Sequence, residues 1–180
     1  MVTILTILPE GFEEIEAITP IDLWRRAGFE VTTAALASNC AVTGRSGIKI
    51  ATDTTLAAIG DQAVFNLLFL PGGPGVALMR ASPEVMEIVG RHTMADRWIA
   101  AICAAPLVLH DAGLLAGRRH TGHPSAKSEL PDLIESEKVV VDGKIVTARG
   151  AGTALEFSLQ VIELISGKEA ADKIALSICA

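Results

Sequence analysis

Trp98-Ile99-Ala100-Ala101-Ile102-Cys103-Ala104-Ala105-Pro106 is the stretch on which the reading of the fold turns. An apolar run of strand character ends abruptly in a cysteine. Small residues and a proline then open a helix predicted over 106–112, which Gly113 stops. A strand running straight into a helix is half of the repeating unit of a parallel α/β sheet. A thiol at that junction faces the helix's first free N–H groups and the positive end of its dipole. Both favour the thiolate, which is the nucleophile. Free cysteine also packs as a small hydrophobe, so position alone leaves nucleophile and core filler evenly matched.

Working outward, 63–70 is a second apolar run and ends in Pro71-Gly72-Gly73-Pro74-Gly75. Residues 2–8 predict a first strand, broken by Pro9-Glu10-Gly11. A helix is expected over 12–27, with Ile15, Ile18 and Trp24 along its apolar face, a kink or tightened turn at Pro20, and Gly28 after its end. Strand two covers 29–36, 38–47 has turn composition, and 48–52 is a short strand. Asp53 is placed to cap a short helix over 54–59. Ser82-Pro83-Glu84 opens another helix with a cap, a first-position proline and an early acid. Downstream, 117–128 is polar and carries His120 and His123, and 139–147 reads as a β-hairpin on Asp142-Gly143. Thr153 can cap a helix to about 166, and 169–178 forms the last one. This alternation predicts a mainly parallel sheet covered by helices on both faces. Ligands collect beyond the carboxyl ends of such strands. Segments 9–16, 71–75 and 103–106 all end there, which weighs for a functional Cys103.

The whole chain of 180 residues (1–180) reads as one domain, half hydrophobic and poor in aromatics. A net charge of −6 argues against a nucleic-acid surface, and Arg25-Arg26 and Arg118-Arg119 are too short to overturn that. No run approaches the roughly eighteen apolar residues of a membrane span. Residues 2–8 lack the basic start and cleavage site of a signal peptide, so a cytoplasmic location is expected. There, Cys40, Cys103 and Cys179 are expected as free thiols.

Among candidate site residues, Glu13 and Glu14 sit where acids favour a helix start. Glu16, next to Ile15, lies at the edge of the apolar stripe. A solvated helix acid is the simpler account of it, and a carboxyl pointing over the strand ends toward Cys103 is the alternative. Gly72-Gly73 can bring backbone N–H groups close to a ligand oxygen, or simply make a turn. It is no phosphate loop, because neither Lys-Ser/Thr nor G-x-G-x-x-G is present. His120 and His123 lack a third ligand at metal spacing, so no metal is expected. G-x-S-x-G is absent, so a serine hydrolase is not indicated.

Ala100-Ala101-Ile102-Cys103-Ala104-Ala105-Pro106, Leu70-Pro71-Gly72-Gly73 and Glu13-Glu14-Ile15-Glu16 together resemble the ThiJ/PfpI superfamily, and within it the branch of YajL and the Parkinson disease protein deglycase. The similarity runs almost end to end, through Arg25-Arg26-Ala27-Gly28, His123-Pro124-Ser125-Ala126-Lys127 and Gly152-Thr153-Ala154-Leu155-Glu156-Phe157. It implies a flavodoxin-like three-layer α/β/α sandwich, a homodimer, and a cofactor-independent cysteine enzyme. The implied substrates are reactive α-oxoaldehydes or their protein and nucleotide adducts, as in a glyoxalase or deglycase. The alternative it implies is a redox-responsive stress protein or chaperone in which Cys103 oxidises to sulfinate. By resemblance, Cys103 is the nucleophile on a strained turn and Glu16 a protonated carboxyl that depresses its pKa. His123 is the nearby histidine. Gly73 and Ala104, with Gly72, form the oxyanion and substrate pocket. Arg26 and Arg45 lie near the site and the dimer interface. Three positions depart from the pattern. Ala104 stands where the protease-like branch has histidine, which argues against peptidase activity. Ala151 replaces a proline, and Ala51 replaces a second oxidisable cysteine found in some members.

Overall fold

The computed structural model describes residues 1–60 and 62–180. Strand β1 (Thr3–Leu8) leads into helix α1 (Glu14–Arg26) and strand β2 (Glu30–Ala35). A hairpin of β3 (Ala41–Thr43) and β4 (Lys49–Ala51) follows, then the two-residue strand β5 (Thr54–Thr55). The middle of the chain is β6 (Leu67–Leu70), α2 (Val76–Arg80), α3 (Pro83–Met94), β7 (Trp98–Ile102) and α4 (Pro106–Asp111). The hairpin β8 (Val139–Asp142) and β9 (Ile145–Ala148) precedes α5 (Ala154–Ser166) and α6 (Lys168–Ser177).

Among the described residues, seven strands form one sheet in the order β5-β2-β1-β6-β7-β9-β8. Every pair is parallel except β8 with β9. The chain builds outward from β1 in both directions, so the crevice beyond the carboxyl ends of β1 and β6 is a topological switch point. The pleat sorts the apolar runs. Ile4, Leu8, Leu67, Phe69, Ala100 and Ile102 face α1, α5 and α6. Their neighbours Leu5, Ile7, Leu68, Leu70, Ile99 and Ala101 face α2, α3 and α4. Burial on both faces explains why these strands read as unbroken hydrophobic runs. Trp24 anchors the first layer, with Phe69 edge-on at 5.0 Å and Phe157 at 6.1 Å. Its indole N–H donates to the Ser158 carbonyl at 3.1 Å.

Several local expectations give way. Helix α1 starts at Glu14 because Glu13, in extended conformation, accepts the Glu16 N–H at 2.8 Å as its cap. Phe12, fully buried, is an anchor ahead of it. Ala17, Pro20, Ile21 and Trp24 form the packed stripe, whereas Ile15 and Ile18 are 54% and 42% exposed. The helix is unbroken through Pro20, which has no N–H to offer the Glu16 carbonyl four residues earlier. Asp53 caps no helix. Its carboxylate accepts the Thr33 N–H at 2.8 Å and binds Arg25 at 2.9 Å, and Thr54–Thr55 joins the sheet edge. Part of the supposed turn over 38–47 is β3, paired antiparallel with β4. The 139–147 hairpin forms, but Asp142 pairs with Ile145, so Gly143-Lys144 makes the turn. Thr153 stands before α5 without capping it, because its hydroxyl is spent on the Gly150 carbonyl at 2.8 Å.

Candidate active site

Cys103 follows the last residue of β7 with φ of +66°, a left-handed conformation that a side chain adopts only at a cost of order 1 kcal/mol. The surrounding backbone enforces it. The Cys103 N–H donates to Ala148 at the end of β9 (2.9 Å), and its carbonyl accepts the His123 N–H (2.7 Å). Gly122 fits against that carbonyl, where a Cβ would come within 2.9 Å. Helix α4 behind the cysteine has only six residues, so the polar groups that matter are individual N–H donors rather than a long dipole. Those of Ala104 and Gly73 favour the thiolate.

Glu16 is 1% exposed, and its Oε2 accepts the Gly72 N–H at 3.0 Å. Gly72 therefore holds the carboxyl, and it does so as the only residue type that fits. A Cβ there would collide with Glu16 Oε2 and the Cys103 Cβ. Gly73, at φ +100°, is as constrained, since a Cβ would lie 2.5 Å from the Gly11 carbonyl oxygen and 2.6 Å from the Glu13 nitrogen. Burial pushes the Glu16 carboxyl up to about 7, and the charge of Glu13 adds to this against hydrogen bonds from Cys103, Gly72 and Ala151. Burial, then the negative charge of Glu16, pushes the Cys103 thiol up to about 12. The two groups titrate as a pair, because both cannot be anionic at such close range. With the carboxyl protonated, the same contact reverses its effect: the O–H donates to sulfur and supports the thiolate.

The pair opens into a cleft of about 530 Å³, whose wall includes Glu13, Arg45, His123, Lys138, Arg149 and Gly150. His123 is exposed, and its Nδ1 lies 2.8 Å from the Ser125 hydroxyl and caps the turn Pro124–Ala126. It meets Cys103 through its main chain and borders the cleft with its ring. Arg26 is elsewhere, at the far end of α1 and paired with Asp22 at 2.8 Å. His120 does not join His123: it is buried, with Nδ1 2.9 Å from the Arg118 carbonyl. Among the described residues, no group of three or more His, Cys, Asp or Glu side chains is placed to hold a metal ion. Sequence reasoning passed over Glu13 as a cap and Arg149 and Lys138 as cleft walls. The signal for the last two was their place before β8 and after β9, since the antiparallel pair brings the start of β8 and the carboxyl end of β9 to the same rim.

A cysteine on a strand-to-helix elbow at the switch point of a doubly wound sheet, coupled to a buried carboxyl, defines a flavodoxin-like protein with a thiol–carboxyl site. Residues 2–164 match the DJ-1/PfpI family, and the chain belongs to it. It is 39% identical over 175 residues to protein dj-1beta of Drosophila melanogaster, covering 95% of this chain and 93% of that one. It is 40% identical over 179 residues to protein DJ-1 homolog A of Arabidopsis thaliana, where 96% of this chain spans only 45% of that relative. The glutathione-independent glyoxalase DJR-1.2 of Caenorhabditis elegans is 31% identical over 174 residues, covering 95% of this chain and 92% of that protein. Among solved structures, Drosophila DJ-1beta superposes with a TM-score of 0.95 at 37% identity, covering 99% of this chain and 98% of that one. Oxidised Toxoplasma gondii DJ-1 gives 0.94 at 34% identity with the same coverage.

Proposed function

We propose that the protein converts reactive α-oxoaldehydes to hydroxy acids without a cofactor, through Cys103 as nucleophile and Glu16 as proton carrier. The observation that carries this reading is the buried carboxyl beside a half-buried thiol that receives the Gly73 and Ala104 N–H groups. The thiolate forms a C–S bond to the aldehyde carbon, and the carbonyl oxygen takes the Glu16 proton. The Glu16 carboxylate then removes the hydrogen on that carbon and returns it to the neighbouring one, leaving a thioester. Water cleaves the thioester, releasing the hydroxy acid and the thiol, so one aldehyde and one water give one acid. N–H donors at the elbow stabilise each oxyanion. Adducts of these aldehydes on proteins and nucleotides offer the same carbon to attack. The role of His123 in this scheme is to hold the elbow through its N–H and to wall the cleft. A glyoxalase-named relative supports the reading. The test is lactate formation from methylglyoxal. Cys103→Ala should abolish it, and Glu16→Gln should lower kcat by at least about 100-fold; full lactate production by Cys103→Ala would sink the mechanism.

A second reading is redox sensing, favoured by the oxidised state of the Toxoplasma neighbour. Peroxide would oxidise the thiolate to sulfenic acid with loss of water, and a second equivalent would give sulfinate, held by the same N–H groups and Glu16. Mass spectrometry after mild peroxide should place two oxygens on Cys103 ahead of the exposed Cys40 and Cys179. Equal oxidation of all three would count against a tuned site. Both readings suit a chain working in the cytoplasm, where thiols stay reduced. They also suit a homodimer, for which Ile15, Ile18 and Ile48, all exposed and borne by α1 and the β3–β4 turn, supply an apolar face.

A further inference from the structure

Beside the thiol–carboxyl pair stands a second buried carboxylate that the chemistry above does not use. Glu14 is 7% exposed; its Oε1 accepts the Ser46 N–H at 2.8 Å, and its Oε2 is buried without a partner. Gly44 lies so near that a Cβ would collide with the Glu14 carboxyl. Backbone N–H groups, those of Ser46 and Ile48 among them, outweigh its burial and hold the carboxyl below its ordinary range. The β3–β4 turn is thus folded around Glu14, and a second tie fastens it: the Arg45 N–H donates to the Phe12 carbonyl at 2.8 Å.

What the turn delivers is Arg45, on the wall of the Cys103 cleft. Among the described residues Arg45 has no carboxylate within ion-pair distance, and neither has Arg149 on the same wall. The third cation there, Lys138, is already paired with Glu156 at 2.6 Å. Opposing them in the cleft are Glu13, whose carboxylate caps α1, and Glu16, which burial favours as the neutral acid. Two unpaired guanidiniums beside a nucleophile are arranged for an anion.

We propose that Arg45, set in place by Glu14 acting through the β3–β4 turn, selects carbonyl substrates that carry a negative group such as a carboxylate or phosphate. This rests on the thiol–carbonyl reading and names its substrate class. Arg45 is the specificity residue and Glu14 a positioning residue.

Iodoacetate and iodoacetamide attack the same thiolate and differ in charge. The ratio of their rates therefore reports local potential whatever the pKa of the thiol, and Cys40 and Cys179 serve as internal references. At low ionic strength the ratio at Cys103 should exceed theirs by about fivefold. Arg45→Gln should remove most of that excess, Arg149 keeping the rest, and Arg45→Lys should keep it. Glu14→Ala should reduce it as Arg45→Gln does, whereas Glu14→Gln, which can still accept the Ser46 N–H, should keep it. An unchanged ratio in Arg45→Gln, or a fall shared by all three cysteines, overturns the proposal. Turnover is scored separately with 4,5-dioxovalerate, an anionic α-oxoaldehyde that would give 2-hydroxyglutarate, against neutral methylglyoxal. KM should favour the anion in the wild type, and Arg45→Gln should raise KM about fivefold more for the anion than for methylglyoxal. A KM that Arg45→Gln raises equally for both overturns the substrate class. Loss of all wild-type turnover with the alkylation excess intact would reject the catalytic reading while supporting charge selection at Cys103.

Discussion

Burial lifts the Glu16 carboxyl to about 7, and its charge helps lift the Cys103 thiol to about 12, so removing that charge without changing shape tests both. Alkylation of Cys103 against pH should rise in two steps in the wild type, one near neutrality and one in the alkaline range. Glu16→Gln should leave a single step below the upper one; the same curve in both proteins would mean the groups are independent. Stability gives a second readout. A carboxyl whose folded pKa is raised contributes stability below its unfolded value of 4.5, and that contribution is lost as pH rises through about 7. Glu16→Gln should therefore be more stable than wild type at pH 8 by up to about 3 kcal/mol, with the gap closing toward pH 4.5 in urea titrations. The cysteine was legible in sequence because its elbow is local: strand, thiol, small residues, proline. The burial of Glu16 was not, because it depends on Gly72 and Ala151 arriving from distant strands.

Helix α3 is clipped to the segment before β6 by a residue that the sequence did not advertise. His92 is fully buried and stacks on Phe65, with Nδ1 2.8 Å from the Ile88 carbonyl and Nε2 accepting the Phe65 N–H at 3.0 Å. The ring is thus neutral, and burial, with Arg91 and Arg97 adding repulsion, holds its pKa below 6.5. A depressed folded pKa gives stability that is full above 6.5 and is lost as pH falls. His92→Phe keeps the stack, strands the Phe65 N–H, and should cost about 1–3 kcal/mol at pH 7.5. That difference should shrink at pH 5; a gap independent of pH would show that His92 is not held neutral. Strands β1, β6 and β7 were readable because apolar runs bounded by Gly and Pro carry their own signal. The face of α1 and the existence of α2 were not. Ile15 and Ile18 satisfy a helical stripe as well as Ile21 and Trp24 do, and a five-residue helix has too few turns to show a period.

At the scale of the molecule, alternation of strand and helix predicted the parallel sheet and the crevice at its carboxyl ends, since right-handed crossovers leave few other topologies. The short strand expected over 48–52 is β4, whereas β3 escaped because its three residues lie outside that sheet and pair only with β4. The hairpin bears on the proposed dimer, since Ile48 in its turn is exposed, as Ile15 and Ile18 on α1 are. Sedimentation should find a dimer at micromolar concentration, and Ile18→Glu should weaken it by about 100-fold or more. A wild-type monomer at that concentration would refute the assembly. The first turn of α1 ties these levels together. Successive residues on a helix diverge by about 100°; here Glu14 enters the hairpin turn, Ile15 stays outside, and Glu16 reaches the thiol. The Glu13 cap therefore sets the phase of the whole arrangement. A slip of one residue in where α1 begins would, in one step, put hydrocarbon where the thiol needs its acid, release the guanidinium from the rim, and turn a carboxylate into the exposed place that Ile15 holds.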